Sequence, residues 1–173
     1  GVMLSLHNRR KGGRLTSLKV DIGVFNGQGL SGPTDFDGHK DFIGRVSLLP
    51  VPVRALGKVK VAGGISVFAG GITSQSQVLY RAVKTNGRNI MQRDSSIRNF
   101  HKTLPRNYAG ADIQITIPNP KGVTELRAEY MRGEQTATAA TTETPGVYPI
   151  VNGIIEPLFI RSFDGAYFYF LQH

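Results

Sequence analysis

Apolar and polar residues alternate along much of the chain. In the clearest stretch, residues 15–26, apolar Leu18, Val20, Ile22 and Val24 alternate with Ser17, Lys19, Asp21 and Gly23. A period of two residues is typical of a β-strand whose two faces meet different surroundings. The same period predicts strands at residues 2–8, 15–26, 41–49, 58–69, 108–117, 123–131 and 166–172. Since no stretch has a sustained helical period, the sequence predicts an all-β chain.

The connections between these predicted strands alternate in length. The short ones fall at residues 9–13, 50–57 and 118–122, and the long ones at residues 27–40, 70–107 and 132–161. Outer-membrane β-barrels have short turns at one end and long loops at the other, whereas long loops are uncommon in compact soluble domains. The pattern therefore favours an antiparallel transmembrane β-barrel with all short connections at one end.

Charges within the predicted strands share one face. This face supplies the pore-lining candidates Lys19, Asp21, Arg45, Lys60, Asp112, Glu125, Arg127 and Glu129. The opposite, lipid-facing set is predicted to comprise Leu18, Val20, Ile22, Val46, Val61, Ile65, Ile113, Ile115 and Leu126. Such segregation suits a lipid-facing wall, because a basic residue there costs about 2–4 kcal/mol at the bilayer midplane. The alternative is a soluble all-β barrel, such as a lipocalin-like carrier, whose strands also alternate.

Composition changes this picture in one region. The formal net charge is +9, and residues 70–107 contain a single acid, Asp94. Their basic residues are Arg81, Lys84, Arg88, Arg93, Arg98, Lys102 and Arg106. Rings of Arg and Lys select anions in pores, so this segment is a candidate anion-attracting constriction, the alternative being a solvated external loop. A basic nucleic-acid-binding barrel is disfavoured because the aromatic residues form no stacking platform with the segment.

No motif nominates catalysis, a metal or a cofactor. The sequence Gly27-Gln-Gly-Leu-Ser-Gly32 is followed by Pro33, which cannot continue as the helix that dinucleotide binding requires. Asp35, Asp37 and Asp41 suggest a loose calcium loop but lack the bidentate Glu of an EF-hand. The chain has no cysteine, and its four histidines are dispersed. We therefore expect neither an enzyme nor a bound cofactor.

Several short motifs resemble, in order, those of the phosphate-selective porin O/P family, with Bacteroidetes members most similar. They are Val24-Phe-Asn-Gly-Gln-Gly29, Lys40-Asp-Phe-Ile-Gly-Arg45, Gly110-Ala-Asp112, Leu126-Arg-Ala-Glu-Tyr130, Gly133-Glu-Gln135 and residues 163–170. The resemblance implies a homo-oligomeric, trimeric pore of about sixteen strands per barrel in the bacterial outer membrane. It implies passive diffusion of small hydrophilic solutes, with a preference for anions such as phosphate. The 173 residues would form a single incomplete barrel segment in contact with outer-membrane lipid, with no nucleic-acid partner.

Overall fold

The computed structural model describes residues 1–7, 16–27 and 35–173. Strands hold 68% of the described residues, which confirms the all-β prediction. The strands are β1 (Val2–His7), β2 (Leu18–Asn26), β3 (Lys40–Pro52), β4 (Lys60–Thr73), β5 (Leu79–Thr85), β6 (Arg88–Asp94), β7 (Thr103–Asn119), β8 (Gly122–Ala137), β9 (Ile150–Val151), β10 (Ile154–Ile155) and β11 (Leu158–Gln172). Two single 3-10 turns occur, at Arg54–Leu56 and Ile97–Asn99.

Seven of these strands form an antiparallel meander in the order β1-β2-β3-β4-β7-β8-β11. They correspond to the seven strands predicted from the sequence, which are thereby confirmed. Several are longer than predicted, with 17 residues in β7, 16 in β8 and 15 in β11. Ladder hydrogen bonds with a neighbouring strand continue beyond the point where the apolar alternation stops.

The described connections lie at the ends that the alternation of lengths predicts. The short connections, between β3 and β4 and between β7 and β8, lie at one end of the sheet, where Pro52 is paired with Lys60 and Asn119 with Gly122. The long connections lie at the other end, which we call the upper end, where Thr73 is paired with Thr103 and Ala137 with Phe159. Residues 9–13, and residues 28–32 of the glycine-rich motif, lie outside the described residues.

The prediction that residues 70–107 form a loop is wrong. β4 continues to Thr73, β7 begins at Thr103, and β5 and β6 form an antiparallel hairpin between them. The hairpin turn is Asn86-Gly87, in which both residues have positive φ, at 51° and 77°. Asn-Gly is the preferred sequence for such a two-residue turn, because both positions need the left-handed region.

The hairpin joins the edge of the sheet beside β11. β5 runs parallel to the first three residues of β11, with Leu79 opposite Leu158. The side chains of these two leucines pack with those of Ile72, Leu104 and Ile160 in a small buried cluster at the upper end. This apolar packing therefore anchors a segment that the sequence had left open as either a constriction in the lumen or a solvated loop.

Residues 132–161 are likewise more ordered than predicted. β8 extends to Ala137, and β11 begins at Leu158. Between them β9 and β10 form a second, two-stranded sheet around the turn Asn152-Gly153, where φ is again positive at both residues. The longer irregular part of this connection is the stretch 138–149, which we call the cover segment.

The sheet is a single layer with chemically different faces. Of the nine residues predicted to face outward, none is buried, and Ile65 is 62% exposed. The apolar face is therefore not packed into the core of a sandwich. Among the described residues the sheet does not close into a barrel, since it ends at β1 on one side and β6 on the other.

Candidate functional site

The eight pore-lining candidates lie on one face of the sheet, the polar face, as the cross-strand register shows. Six of them form three ion pairs. Lys19 Nζ lies 2.9 Å from Asp21 Oδ1, Arg45 Nη2 lies 2.6 Å from Asp112 Oδ2, and Arg127 Nη2 lies 2.6 Å from Glu125 Oε2. Lys60 and Glu129 form no ion pair with any described residue. The charges of the polar face thus largely neutralise one another.

The pair between Arg45 and Asp112 joins strands that are not neighbours, since β4 lies between β3 and β7. The guanidinium crosses β4 at Gly64, where a Cβ atom would lie 2.8 Å from Arg45 Nη2 and 2.9 Å from the carbonyl oxygen of Val46. Glycine at this position therefore leaves the space in which the two side chains meet. The polar face is tied together across three strands by this contact.

A second pair of the same kind, Arg106 with Asp41, is buried near the upper end. Arg106 of β7 is 8% exposed and Asp41 of β3 is 3% exposed. The Arg106 guanidinium donates to the Asp41 carboxylate and to the carbonyl of Gly27, and it lies 5.2 Å from the centroid of the Phe68 ring. Placing Arg106 in a basic loop was therefore wrong, because it belongs to the polar face of β7.

A cavity of about 700 Å³ opens beside this buried pair. The polar face contributes Arg106 and the aromatic side chains of Phe25, Phe68 and Tyr108. Residues 141–146 of the cover segment form the opposite wall. The cover segment therefore folds over the upper part of the polar face, a role the sequence had suggested for the basic segment.

Hydrogen bonds and ring contacts hold the cover segment in this position. Arg161 of β11 donates from Nη1 and Nη2 to the carbonyl of Thr138, both at 3.0 Å. Gln75 Nε2 donates to the hydroxyl of Tyr148 at 3.2 Å, and the Tyr148 ring packs edge-on against Phe36 at 4.4 Å. Both ends of the segment are thus fixed to parts of the chain that are distant in sequence.

The other basic candidates of residues 70–107 belong to the hairpin β5–β6 and the turn that follows it, at the edge of the sheet. Arg81 of β5 forms an ion pair with Glu134, with Nη1 and Oε1 3.2 Å apart. The remaining side chains of this set are exposed: Lys84, Arg88, Arg93, Arg98 and Lys102. The backbone N–H of Ser96 donates to Asp94 at 2.9 Å and lowers the pKa of that carboxyl. The acid stays ionised at neutral pH, but the cations outnumber it.

The carboxylates of the suspected calcium loop have other partners. Asp35 pairs with Lys40, Asp41 pairs with Arg106, and Asp37 accepts a hydrogen bond of 2.8 Å from the backbone N–H of Thr73. In the described parts of the chain, no three metal-ligating side chains come together. Nor do those parts contain a helix with the length and hydrophobicity to cross a membrane.

Sequence reasoning missed Asp41 as the partner of Arg106, and it missed the cover segment. The sequence did indicate the position of Arg106, because it is an even number of residues from Tyr108 and Asp112 on β7 and therefore lies on the same side of the strand. Comparisons of the chain with protein-family models, curated proteins and solved structures find no match. The resemblance to the phosphate-selective porin O/P family stays a prediction.

Proposed function

We propose that this chain forms part of the wall of a β-barrel pore in the bacterial outer membrane, through which small hydrophilic solutes diffuse passively. The observation that carries the proposal is the pairing of an exposed apolar face with an ion-paired polar face on one single-layer sheet. Large exposed apolar patches on soluble proteins mark contacts with other molecules. In a bilayer, lipid covers such a face and water covers the other.

The apolar face is continuous from strand to strand. Residues directly opposite one another on neighbouring strands form a row across the sheet, which we call a register row. One such row crosses six strands and consists of Val20, Val46, Ile65, Ala111, Tyr130 and Ala166. The row below it on the central strands is also apolar, with Gly63 opposite Ile113 and Ile113 opposite Ala128. Charge returns above these rows, where Arg132 lies opposite Asp164. Apolar rows that give way to charge toward one end of the sheet are expected of strands that leave the hydrocarbon core of a bilayer there.

A closed pore needs more strands than the meander contains. Bacterial barrels have at least about eight strands, and a sheet edge facing lipid would leave backbone groups without partners. Among the described residues, β1 has one free edge, and β11 pairs with β5 only at its first three residues. The proposal therefore requires further strands along both edges. The resemblance to the porin family implies such a larger barrel, in a trimer.

Cysteine labelling tests the orientation of the two faces, and the chain has no cysteine of its own. Ile113 and Gln114 are consecutive in β7 and belong to opposite faces. With the complete barrel protein that contains these strands reconstituted in lipid vesicles, in a form without other cysteines, we expect Gln114→Cys to react with a charged, water-soluble thiol reagent. Ile113→Cys should be protected from that reagent and react with a lipid-soluble maleimide.

The same vesicles distinguish a pore wall from a soluble carrier. A pore wall stays with the membrane after an alkaline carbonate wash, whereas a soluble binding module is recovered in the wash. Release of the chain into the wash, or equal labelling of both cysteines by the charged reagent, would contradict the proposal.

The anion preference is tested on the exposed arginines of the basic segment. Arg106 and Arg81 are left out because Asp41 and Glu134 compensate their charges. Replacing Arg88, Arg93 and Arg98 together by Gln in the complete pore protein should reduce anion preference, because charges act on passing ions within a Debye length of about 8 Å. Reversal potentials across a planar bilayer under a salt gradient measure this, and the three Arg→Lys replacements, which keep the charge, serve as the control. An unchanged reversal potential in the Gln variant would leave only a general diffusion pore.

A further inference from the structure

The apolar face gives way, toward the upper end of the sheet, to a polar groove of about 740 Å³. Its polar lining comes from two neighbouring register rows and from β6 of the hairpin, and consists of Asn89, Asn107, Arg132, Glu134, Ser162 and Asp164. Arg132 is two residues from Tyr130 on β8, so the groove opens on the same side of the sheet as the apolar rows. Hydrogen-bonding groups therefore lie directly above the surface that the proposed pore turns toward lipid.

An apolar groove of about 520 Å³ lies below the polar one. Its lining combines small and large side chains, those of Ala111, Ala128 and Ala166 with those of Ile113, Tyr130 and Phe168. Small and large residues alternate in the register, as where Ala128 lies between Ile113 and Phe168, which leaves a depression among the larger side chains. Tyr130 lines both grooves, and tyrosine is enriched where the hydrocarbon of a membrane meets its headgroups. The two grooves form one amphipathic surface, polar above Tyr130 and apolar below it.

The charged residues of the polar groove do not all neutralise one another. Glu134 is compensated by Arg81 of β5. Arg132 and Asp164 are directly opposite each other on β8 and β11, yet they form no ion pair, and neither side chain has a hydrogen bond to another described residue. Both side chains are exposed. The guanidinium of Arg132 therefore has its N–H donors available for another molecule.

The hairpin beside the groove adds positive charge. Asn89, which lines the groove, has Arg88 next to it in sequence and Lys84 opposite it on β5, and both cations are exposed. Neither of them forms an ion pair with a described residue. With Arg132, they outnumber the unpaired acid of the groove, Asp164, by three to one. Basic clusters of this kind attract the phosphates of anionic lipids, whereas a headgroup without net charge gains less from them.

We propose that the two grooves together bind one molecule of an anionic phospholipid from the surrounding membrane. The Arg132 guanidinium donates hydrogen bonds to the lipid phosphate, Asp164 accepts from a headgroup hydroxyl, and an acyl chain lies in the alanine-lined groove below Tyr130. The proposal deepens the proposed function by naming a lipid partner, and it rests on that function for the presence of a membrane beside this face. Inorganic phosphate shares the headgroup chemistry but has no chain for the apolar groove, so it does not compete with the lipid.

Native mass spectrometry of the complete barrel protein, titrated in detergent with phosphatidylglycerol, tests this site. We expect one site per barrel that Arg132→Gln weakens about tenfold, since hydrogen bonds from a charged group to the phosphate are lost. Arg127→Gln, on the same strand but on the polar face, is the matched control and should bind phosphatidylglycerol unchanged. Phosphatidylethanolamine with the same acyl chains, whose headgroup has no net charge, should bind more weakly. Inorganic phosphate should not displace the lipid.

A second variant tests the apolar groove without changing any charge. Ala111→Phe fills the groove and keeps an apolar surface, and Ala111 is exposed, so the larger side chain displaces no packed core. We expect this variant to weaken phosphatidylglycerol binding as well. Ile22→Phe, the same kind of enlargement on the apolar face of β2, lies outside both grooves and should leave binding unchanged.

Each contrary outcome overturns a defined statement. Equal affinity in Arg132→Gln and Arg127→Gln, equal affinity in Ala111→Phe and Ile22→Phe, or displacement of the lipid by inorganic phosphate would overturn the lipid site. Equal affinity for phosphatidylethanolamine would overturn the choice of an anionic headgroup. If the Ile113 and Gln114 labelling succeeds while the variants leave lipid binding unchanged, the pore wall stands and the lipid site is wrong. If phosphatidylglycerol binds as expected but the barrel washes off vesicles, the lipid site stands and the pore wall is wrong.

Discussion

Replacing Arg106 with methionine is expected to lower the free energy of unfolding by about 3–5 kcal/mol, because the variant leaves a buried carboxylate without its partner. Asp41 is 3% exposed, so water cannot take over the role of the guanidinium. Methionine keeps much of the aliphatic volume of arginine, which limits the loss of packing. Urea unfolding in detergent, followed by the β-sheet circular dichroism signal, measures the difference.

The matched control for this variant is Arg127→Met, on the same face of β8. The side chain of Arg127 is 49% exposed, and exposed ion pairs contribute about 0–1 kcal/mol. Adding Asp41→Asn to Arg106→Met should recover part of the lost stability, because the buried negative charge is then removed. If Arg106→Met unfolds no more easily than Arg127→Met, the buried pair does not stabilise the sheet.

Replacing Ile65 with arginine is expected to weaken membrane insertion by about 2–4 kcal/mol, because in the proposed pore wall the charge would lie on the side that faces lipid. The side chain of Ile65 is 62% exposed and projects from the central part of β4. Urea titration of the complete barrel protein in lipid vesicles, with the inserted fraction as the readout, measures the change.

The comparison variant is Met131→Arg on the polar face. Met131 and Ile65 lie at nearly the same height in the sheet but on opposite faces. Met131 is opposite Gly110, and Gly110 is opposite Ser66, the residue next to Ile65. We expect this arginine to be tolerated, because in the proposed pore its face is covered by water, and that face also contains Glu129. Equal insertion of both variants would refute a lipid-facing apolar face, since an exposed residue of a water-soluble sheet accepts arginine at little cost.

The strands and their faces could be predicted because the information is local. The alternation of Leu18, Val20 and Ile22 with Lys19 and Asp21 is present in consecutive residues, and a period of two specifies both strand and face. The two missed hairpins also had a local signal, since Asn86-Gly87 and Asn152-Gly153 are preferred turn sequences. The hairpin β5–β6 was overlooked because β6 is exposed on both faces, so its polarity does not alternate.

The contacts at the upper end depend on long-range structure. Arg106 and Asp41 are 65 residues apart and meet across β4 because the register places Gly70 between them, where a Cβ atom would collide with the Asp41 carboxylate. The amino-acid sequence alone was enough to assign residues to the polar face, because the side of a strand on which a side chain lies is a local property. Which of them touch, and which long connection covers them, depends on strand order and register. Those follow from hydrogen bonds and packing between segments far apart in the chain, which no local pattern encodes.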